Sequence, residues 1–276
     1  MIEERIDSEQ LNEVAIEHLH RYKSIFNLVK DKKVLDAACG SGYGSYLLSQ
    51  VAAEVHGVDI SSISIEYAKS KYSKSNLHYY VSNVSQLEFE DESFDIIISF
   101  ETIEHLYNQT DFLREMRRVL KKNGVLVIST PNKLNYTDKS QNINPFHVKE
   151  LYKNEFSELL SKEFRYYNFY YQKFIFASLI YSDINSNKVK VYEGDFHEII
   201  DVNFEENSFY FIVIASNDEK SDKMMLDSLF LLNSDIIYGR AHKMYQGSYS
   251  YRVGNFIISP VTFIKNMMKK LTGFKI

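Results

Sequence analysis

Cysteine is almost absent from this chain: Cys39 is its only one, which excludes an internal disulfide and any multi-cysteine zinc site. Tryptophan is missing altogether. No long basic run occurs before the extreme C-terminus and the formal net charge is -5, so the electrostatic footprint of a nucleic-acid binder is lacking. No apolar stretch approaches the ~20 residues that span a bilayer. The segment from Met1 to Gln10 is acidic and polar, unlike a secretory signal, and a cytoplasmic enzyme is the expectation. No carboxylate pair or His/Asp cluster has metal-ligand spacing, so no metal is expected. What is present is ordinary globular material. The 276 residues, 45% hydrophobic and 25% charged, suffice for one large α/β domain with or without an appendage. Much of the Tyr and Phe content falls after Tyr166, so the second half differs in character from the first.

Periodicity organises the first half into alternating elements. Ser8 to Val29 reads as an amphipathic helix, with Ser8 as its N-cap. Strands are expected at Lys33–Ala37, Glu54–Asp59, Leu77–Val81, Phe94–Phe100 and Val125–Thr130, with Pro131 stopping the last. Helices are expected at Tyr43–Val51, Ser61–Tyr72 and Asp111–Lys122, the third closed by an Asn123-Gly124 C-cap pair. A helix over Asn154–Lys162, a sixth strand over Phe164–Tyr171 and a seventh over Phe209–Ser216 complete the pattern. Repeated β-α units with short connections argue for a parallel sheet covered by helices on both faces. Two segments fall outside it: an insertion over about 174–207, and everything after the seventh strand, which opens with a helix over Met224–Leu232.

Chemistry concentrates in VLDAACGSGYGS, residues 34–45. A strand runs into a turn carrying Gly40, Gly42 and Gly44, and then a helix begins. Glycine is needed where the backbone takes positive φ or a ligand approaches the main chain, and the helix N-terminus offers unpaired N–H groups to an anion. Such a turn alone is shared with nicotinamide dehydrogenases, whose spacing is G-x-G-x-x-G. Here position 45 is serine, and the acidic Asp36 ends the strand. The second strand ends in Asp59, placed to accept both hydroxyls of a ribose.

Taken in order and register, VLDAACGSGYGS, VHGVDIS, SNVSQLEF, FDIIISFETIEHL and GVLVISTPN resemble the class I S-adenosylmethionine-dependent methyltransferases. The resemblance implies an α/β three-layer sandwich with a mostly parallel seven-stranded sheet whose last strand is antiparallel. It implies S-adenosylmethionine as cofactor and S-adenosylhomocysteine as product. Residue by residue, Asp36, Ala38 and the Gly40, Gly42, Gly44 turn would surround the methionine portion. Asp59 would hold the ribose with Ile60 beside it, Asn83 and the Val84 N–H would meet the adenine, and Phe100 and Glu101 would border the sulfonium. Many relatives carry Asp where Asn83 stands. An arginine in the helix before the first strand grips the cofactor carboxylate in related enzymes; His20, Arg21 and Tyr22 compete for that role, and the guanidinium fork favours Arg21.

Two histidines are candidates for the chemistry. Glu101 and His105 are four apart and would share a face if FETIEHL were helical. His147 follows the fifth strand and a polar loop, near the C-terminal edge of the sheet where open α/β folds bind ligands, and is the preferred base or acceptor contact. Cys39, with no activating base, is expected to pack beneath the glycine turn. NPFHVKELYKNEFSELL and EHLHRY resemble methyltransferases found beside glycosyltransferases in bacterial surface-glycan clusters, which implies O- or N-methylation of a small-molecule or glycan-type acceptor. The domain plan read from the sequence is a helix over 1–30 covering the cofactor site, a methyltransferase domain over 31–218, and a helical C-terminal extension over 219–276. The lysine-bearing apolar stretch Phe256–Phe274 suits packing on the domain or across a dimer, with an anionic membrane surface as the alternative. Two rivals stand beside the main reading. One is an NAD(P)-dependent sugar oxidoreductase or epimerase, for which Tyr67-x-x-x-Lys71 offers a chance motif. The other is a non-catalytic module of the same fold.

Overall fold

The computed structural model describes residues 13–141, 143–175, 192–194, 199–201 and 204–219. The expected cap at Ser8, the helix over Met224–Leu232 and the stretch Phe256–Phe274 lie outside them. Four strands match the sequence reading to the residue: β1 Lys33–Ala37, β2 Glu54–Asp59, β3 Leu77–Val81 and β4 Phe94–Phe100. β4, FDIIISF, is nearly all apolar, as a central buried parallel strand requires, while β1 and β2 set valines and leucine between polar residues and β3 ends exposed at Tyr80 and Val81. β5 (Leu120–Pro131), β6 (Tyr166–Gln172) and β9 (Tyr210–Ser216) complete one sheet, while β7 (Tyr192–Gly194) and β8 (Ile199–Asp201) pair only with each other inside the expected insertion.

The sheet order is β3-β2-β1-β4-β5-β9-β6. β1 pairs in parallel with β2 and β4, and β9 runs antiparallel to both its neighbours. The chain therefore builds outward from β1 to β3, then returns across β1 to start the other half at β4. That reversal leaves a crevice beyond the carboxyl ends of β1 and β4. The glycine turn follows β1, and Glu101 to His105 follow β4. Position in the sheet puts both at one crevice.

Helices α1 (Glu13–Ser24), α2 (Phe26–Val29), α3 (Tyr43–Leu48) and α4 (Ser62–Lys71) supply one layer, and α5 (Gln109–Val119) and α6 (Lys153–Ser161) the other; a short α7 (Phe204–Asn207) precedes β9. The two cores sort by strand alternation. Leu35 and Ile97 pack with Phe112, Leu113, Met116, Phe156 and Leu160, whereas Val34, Ile96 and Ile98 pack with Tyr22, Ile25, Leu48, Ile65 and Ala68. Ser61 caps α4 through its hydroxyl, which accepts from the Ser64 N–H at 3.4 Å.

Four local expectations are corrected. The single helix read over Ser8–Val29 is, within the described residues, two: α1 ends at Ser24 and α2 begins at Phe26. The helix read as Asp111–Lys122 begins at Gln109, under an Asn108 cap, and ends at Val119. Asn123-Gly124 is not its C-cap: the pair lies inside β5, which begins at Leu120 because that fully buried side chain pairs opposite Phe94. A Cβ on Gly124 would meet the Asp95 carbonyl at 2.9 Å, so its glycine serves strand approach at the bulge. Nor do Glu101 and His105 share a helix face. Glu101 takes φ 51°, and only Ile103–His105 form a single 3-10 turn.

Candidate active site

The glycine turn is held open by backbone geometry and tied to β2. Ala38, Gly40 and Gly42 all take positive φ, at 65°, 53° and 82°. The Gly40 N–H donates to Asp59 Oδ2 and the Ser61 N–H to Asp59 Oδ1, both at 2.9 Å. One carboxylate thus fixes the turn and the start of α4 together. The glycines differ in purpose. A Cβ on Gly40 would meet nothing within 4 Å, so that face of the turn is open to a ligand. A Cβ on Gly42 would lie 2.5 Å from Ala68 Cβ and 2.8 Å from the Tyr79 hydroxyl, and one on Gly44 would overlap the Tyr22 ring. Gly42 and Gly44 let neighbouring elements close in.

Beneath the turn, Asp36 is fully buried and accepts from the Ser45 hydroxyl at 2.6 Å and the Tyr22 hydroxyl at 3.2 Å. Burial raises its pKa to about 6 against the pull of those two donors. Asp36 thereby joins α1 to α3 from below rather than facing the crevice. Cys39 is buried beside it, and burial with the nearby Asp36 and Asp59 charges holds its thiol well above the ordinary range. A thiol held protonated in this way is a poor nucleophile.

A cavity of about 340 Å³ opens from the turn, lined among others by His18, Tyr22, Ala38, Gly40, Glu101, Glu104, His105, Tyr136, His147 and Tyr210. Sequence-read residues from three separate segments therefore meet here: Ala38 and Gly40 from the turn, Glu101 and His105 from the β4 exit, and His147 from the loop after β5. Phe100 is buried behind it, edge-on to Tyr22 at 5.1 Å. Asp59, Ile60, Asn83 and Val84 lie outside the lining. Ile60 is exposed next to Asp59, Asn83 is exposed with its Oδ1 accepting from the Ser85 N–H, and Val84 is part of the core.

Arg21 sits against the cavity wall with 1% of its surface exposed. Its Nε donates to Gln172 Oε1 at 2.6 Å, Nη1 stands 3.1 Å from Glu101 Oε1, and the guanidinium lies over the Tyr210 ring at 4.4 Å. Nη2 has no hydrogen-bond partner among the described residues. A buried guanidinium with donors to spare is costly unless an anion completes it. On the same helix Glu17 is buried, and burial raises its pKa to about 7, with Arg21 opposing and Glu101 adding to the rise. The folded chain therefore holds this proton more tightly than the unfolded one. The stability Glu17 confers is whole below its unfolded pKa near 4.5 and is lost as pH rises through about 7. Glu17→Gln should flatten the dependence of Tm on pH across that window and raise stability above it, on the order of 3 kcal/mol at most. Thermal melts of both proteins across that pH range measure it; parallel curves would refute the assignment.

Sequence reasoning missed Glu104, and the missed residue links the two histidines. The loop after β5 folds back so that the Val148 and Lys149 N–H groups donate to the Glu104 carbonyl at 2.8 and 3.0 Å. The Gln109 side chain bridges the Ile103 and Lys149 carbonyls. His105 and His147 then meet edge to face with ring centroids 5.0 Å apart. His105 Nδ1 donates to the Phe146 carbonyl at 3.0 Å, and His147 Nδ1 donates to Glu150 Oε1 at 2.6 Å, whose other oxygen accepts from the Thr137 hydroxyl. The Glu104 side chain is fully buried. Its Oε2 accepts from the Thr130 hydroxyl at 2.9 Å, and burial, reinforced by Glu101, holds its pKa well above the carboxylate range. Only the fold-back of a loop some forty residues later gives Glu104 this company, and no local pattern in FETIEHL announces it.

The rival Tyr67 and Lys71 do contact each other, but on the exposed side of α4 and outside the cavity lining.

Comparison with known proteins agrees with this geometry. The family model described as "Methyltransferase domain" matches residues 28–190. The chain is 34% identical over 140 residues to a "Probable S-adenosylmethionine-dependent methyltransferase" of Mycolicibacterium smegmatis, covering 50% of this chain and 54% of that protein. It is 36% identical over 107 residues to a "Ubiquinone biosynthesis O-methyltransferase" of Pelagibacter ubique, covering 38% and 44%. The chain thus spans about half the length of these curated relatives. Among solved structures, a SAM-dependent methyltransferase from Thermotoga maritima superposes with a TM-score of 0.51 at 16% identity, covering 74% of this chain and 92% of that one. The YcgJ protein of Bacillus subtilis does so at 0.50 and 23% identity, covering 56% and 73%. These likenesses establish the fold.

Proposed function

Because the chain belongs to the class I S-adenosylmethionine-dependent methyltransferases, we propose that it methylates an oxygen or nitrogen of a small-molecule or glycan-type acceptor bound in the 340 Å³ cavity. The single observation that carries this reading is the juxtaposition of a ligand-open glycine, Gly40, with a histidine pair in one cavity. When bound, S-adenosylmethionine supplies a methyl group on a sulfonium that is intrinsically open to nucleophiles.

The residues present fit that cofactor. Gly40 leaves the main chain open and Asp59 has carboxylate lone pairs for two ribose hydroxyls. The spare Arg21 donor suits a carboxylate, and exposed Ile60 offers an apolar surface beside the ribose position. Ala38, Phe100 and Glu101 close the wall nearer the acceptor, and Asn83 with the Val84 N–H is assigned to the adenine. Asp36 and Gly44 act beneath the turn by joining α1 and α3, and Gly42 by letting α4 approach. The chain's main task is alignment, which can supply roughly 7–11 kcal/mol without a strong protein catalyst.

His147 is assigned to the acceptor. The Glu150 carboxylate fixes its ring and tautomer, which leaves Nε2 as the acceptor nitrogen, met by the Asn144 amide at 2.9 Å. His105 shapes the wall beside it. An O-methyltransferase among the relatives favours a hydroxyl acceptor, whose proton must leave during transfer. We also propose the division into a covering segment over 1–30, whose described part is α1 and α2, a catalytic domain over 31–218 and an extension over 219–276, and a cytoplasmic setting. No helix of the described residues is long and apolar enough to cross a membrane.

Calorimetric titration separates this reading from its rivals. S-adenosylhomocysteine is expected to bind with micromolar affinity and NAD(P) to give no heat. Binding of NAD(P) with none of S-adenosylhomocysteine would transfer the chain to the oxidoreductases, and binding of neither would leave a non-catalytic module.

A further inference from the structure

Glu104, His105 and His147 each bring one potential ligand atom within 4.8 Å of those of the other two. Three features distinguish this group from a chance encounter. First, Glu104 Oε1 is buried and has no hydrogen-bond partner among the described residues, while its twin Oε2 is satisfied by Thr130. Second, Oε1 lies 3.9 Å from His105 Nε2, too long for a hydrogen bond and about half an ångström beyond the ~3.3 Å that two ligands of one tetrahedral ion keep, so a small side-chain shift would bring the pair to ligand spacing. Third, both rings have their Nδ1–H committed outward, His105 to the Phe146 carbonyl and His147 to the Glu150 carboxylate. Metal-bound histidines nearly always donate their other ring N–H to a carbonyl or carboxylate, which fixes the tautomer and turns the second nitrogen's lone pair toward the ion. Here both histidines do so, and the Thr137 hydroxyl in turn holds Glu150.

We propose that Glu104, His105 and His147 form a binding site for one divalent first-row transition ion, facing the acceptor end of the cavity. Two imidazoles and a carboxylate suit zinc, iron, cobalt or nickel and leave coordination positions open. Those positions face the cavity lined by Tyr136 and Tyr210. An acceptor hydroxyl would complete the coordination. On the methyl-transfer reading above, on which this role rests, its proton passes to water, the O–C bond forms as the S–C bond breaks, and the sulfonium leaves as a neutral thioether. The ion then does by polarisation what His147 would otherwise do as a base. The Asn144 amide, now 2.9 Å from His147 Nε2, yields that position to the ion. The sequence pointed to no metal because the third ligand comes from a distant loop.

The test is a Co²⁺ titration of the full, tag-free chain, followed by visible absorption and by elemental analysis after dialysis, with Zn²⁺ as competitor. One Co²⁺ per chain, displaced by Zn²⁺, is expected. His147→Asn and Glu104→Gln should each weaken uptake at least ~100-fold, while S-adenosylhomocysteine binding, measured in parallel as the check on folding, stays within twofold. Should a variant fail that check, the other decides. A wild-type chain that binds S-adenosylhomocysteine but takes up neither ion overturns the site, as do folded variants that bind Co²⁺ like the wild type. Co²⁺ uptake by a chain that binds no S-adenosylhomocysteine supports the site and removes the methyl-transfer reading instead.

Discussion

Asp59→Ala is expected to abolish most binding of S-adenosylhomocysteine, weakening it by roughly 100- to 10,000-fold. The estimate rests on two charge-assisted hydrogen bonds to the ribose hydroxyls, each worth about 1.5–3 kcal/mol. The same side chain also fixes the Gly40 and Ser61 N–H groups, so its loss loosens the turn that the ligand needs. Asp59→Asn keeps the shape and one acceptor but gives up the charge, and should fall between alanine and wild type. Calorimetric titration of the three proteins measures the order. An alanine variant that binds like wild type would mean that Asp59 does not hold the ribose.

The second large effect separates glycines that face a ligand from glycines that face the protein. In Gly44→Ala the new methyl group would overlap the Tyr22 ring. Tyr22 has little room to retreat, being 5% exposed, edge-on to Tyr43 and Phe100, and hydrogen-bonded to Asp36. Helix α1 must shift, carrying Arg21 with it. Overpacking of this kind costs about 1–3 kcal/mol, and at about 2–4 °C per kcal/mol the fall in Tm reaches as much as ~10 °C. Gly40→Ala should behave in the opposite way. Its methyl group meets no protein atom, so stability bears only the left-handed strain of about 1–2 kcal/mol, whereas the ligand's approach is blocked. Melting curves and titrations on both variants give the comparison. If Gly44→Ala melts like wild type while Gly40→Ala unfolds, the two roles are assigned the wrong way round.

This pair also shows where the sequence is legible. β1 to β4 could be bounded to the residue because each is a short stretch with apolar residues at its centre, set between turn and helix-cap signals. The glycine turn and Asp59 could be located because their offsets fit few other purposes. The division of labour among the glycines could not, because it depends on Tyr22, Ala68 and Tyr79 arriving from three other elements. Asn123-Gly124 misled for a related reason. The pair is good helix-stop chemistry, but burying Leu120 opposite Phe94 outweighed it and extended the strand. Glu104 was hidden most deeply. A glutamate before a histidine is unremarkable until the Asn132–Glu150 loop folds back and donates two N–H groups to its carbonyl.

Arg21 and Asp36 illustrate a different limit. The family resemblance assigns both to the cofactor, and the structure shows what each does within the protein. Asp36 lies at the bottom of the α1–α3 contact, with burial raising its pKa to about 6. Arg21 bridges Gln172 and Glu101, and its Nη2 has no hydrogen-bond partner among the described residues. The first has no exposed oxygen to offer a ligand. The second is as deeply buried, but its guanidinium has an unpartnered Nη2 and adjoins Glu101 and Tyr210 of the cavity lining, and for that reason it keeps its place in the proposed site.

The most direct test of the account is a crystal structure of the chain grown with S-adenosylhomocysteine. Density is predicted to run from the Arg21 side of the cavity across Gly40 to Asp59, with the sulfur nearer Glu101 than the ribose is. Density on another face of the sheet, or a Gly40 turn that collapses onto its neighbours and leaves no room for the ligand, would contradict it.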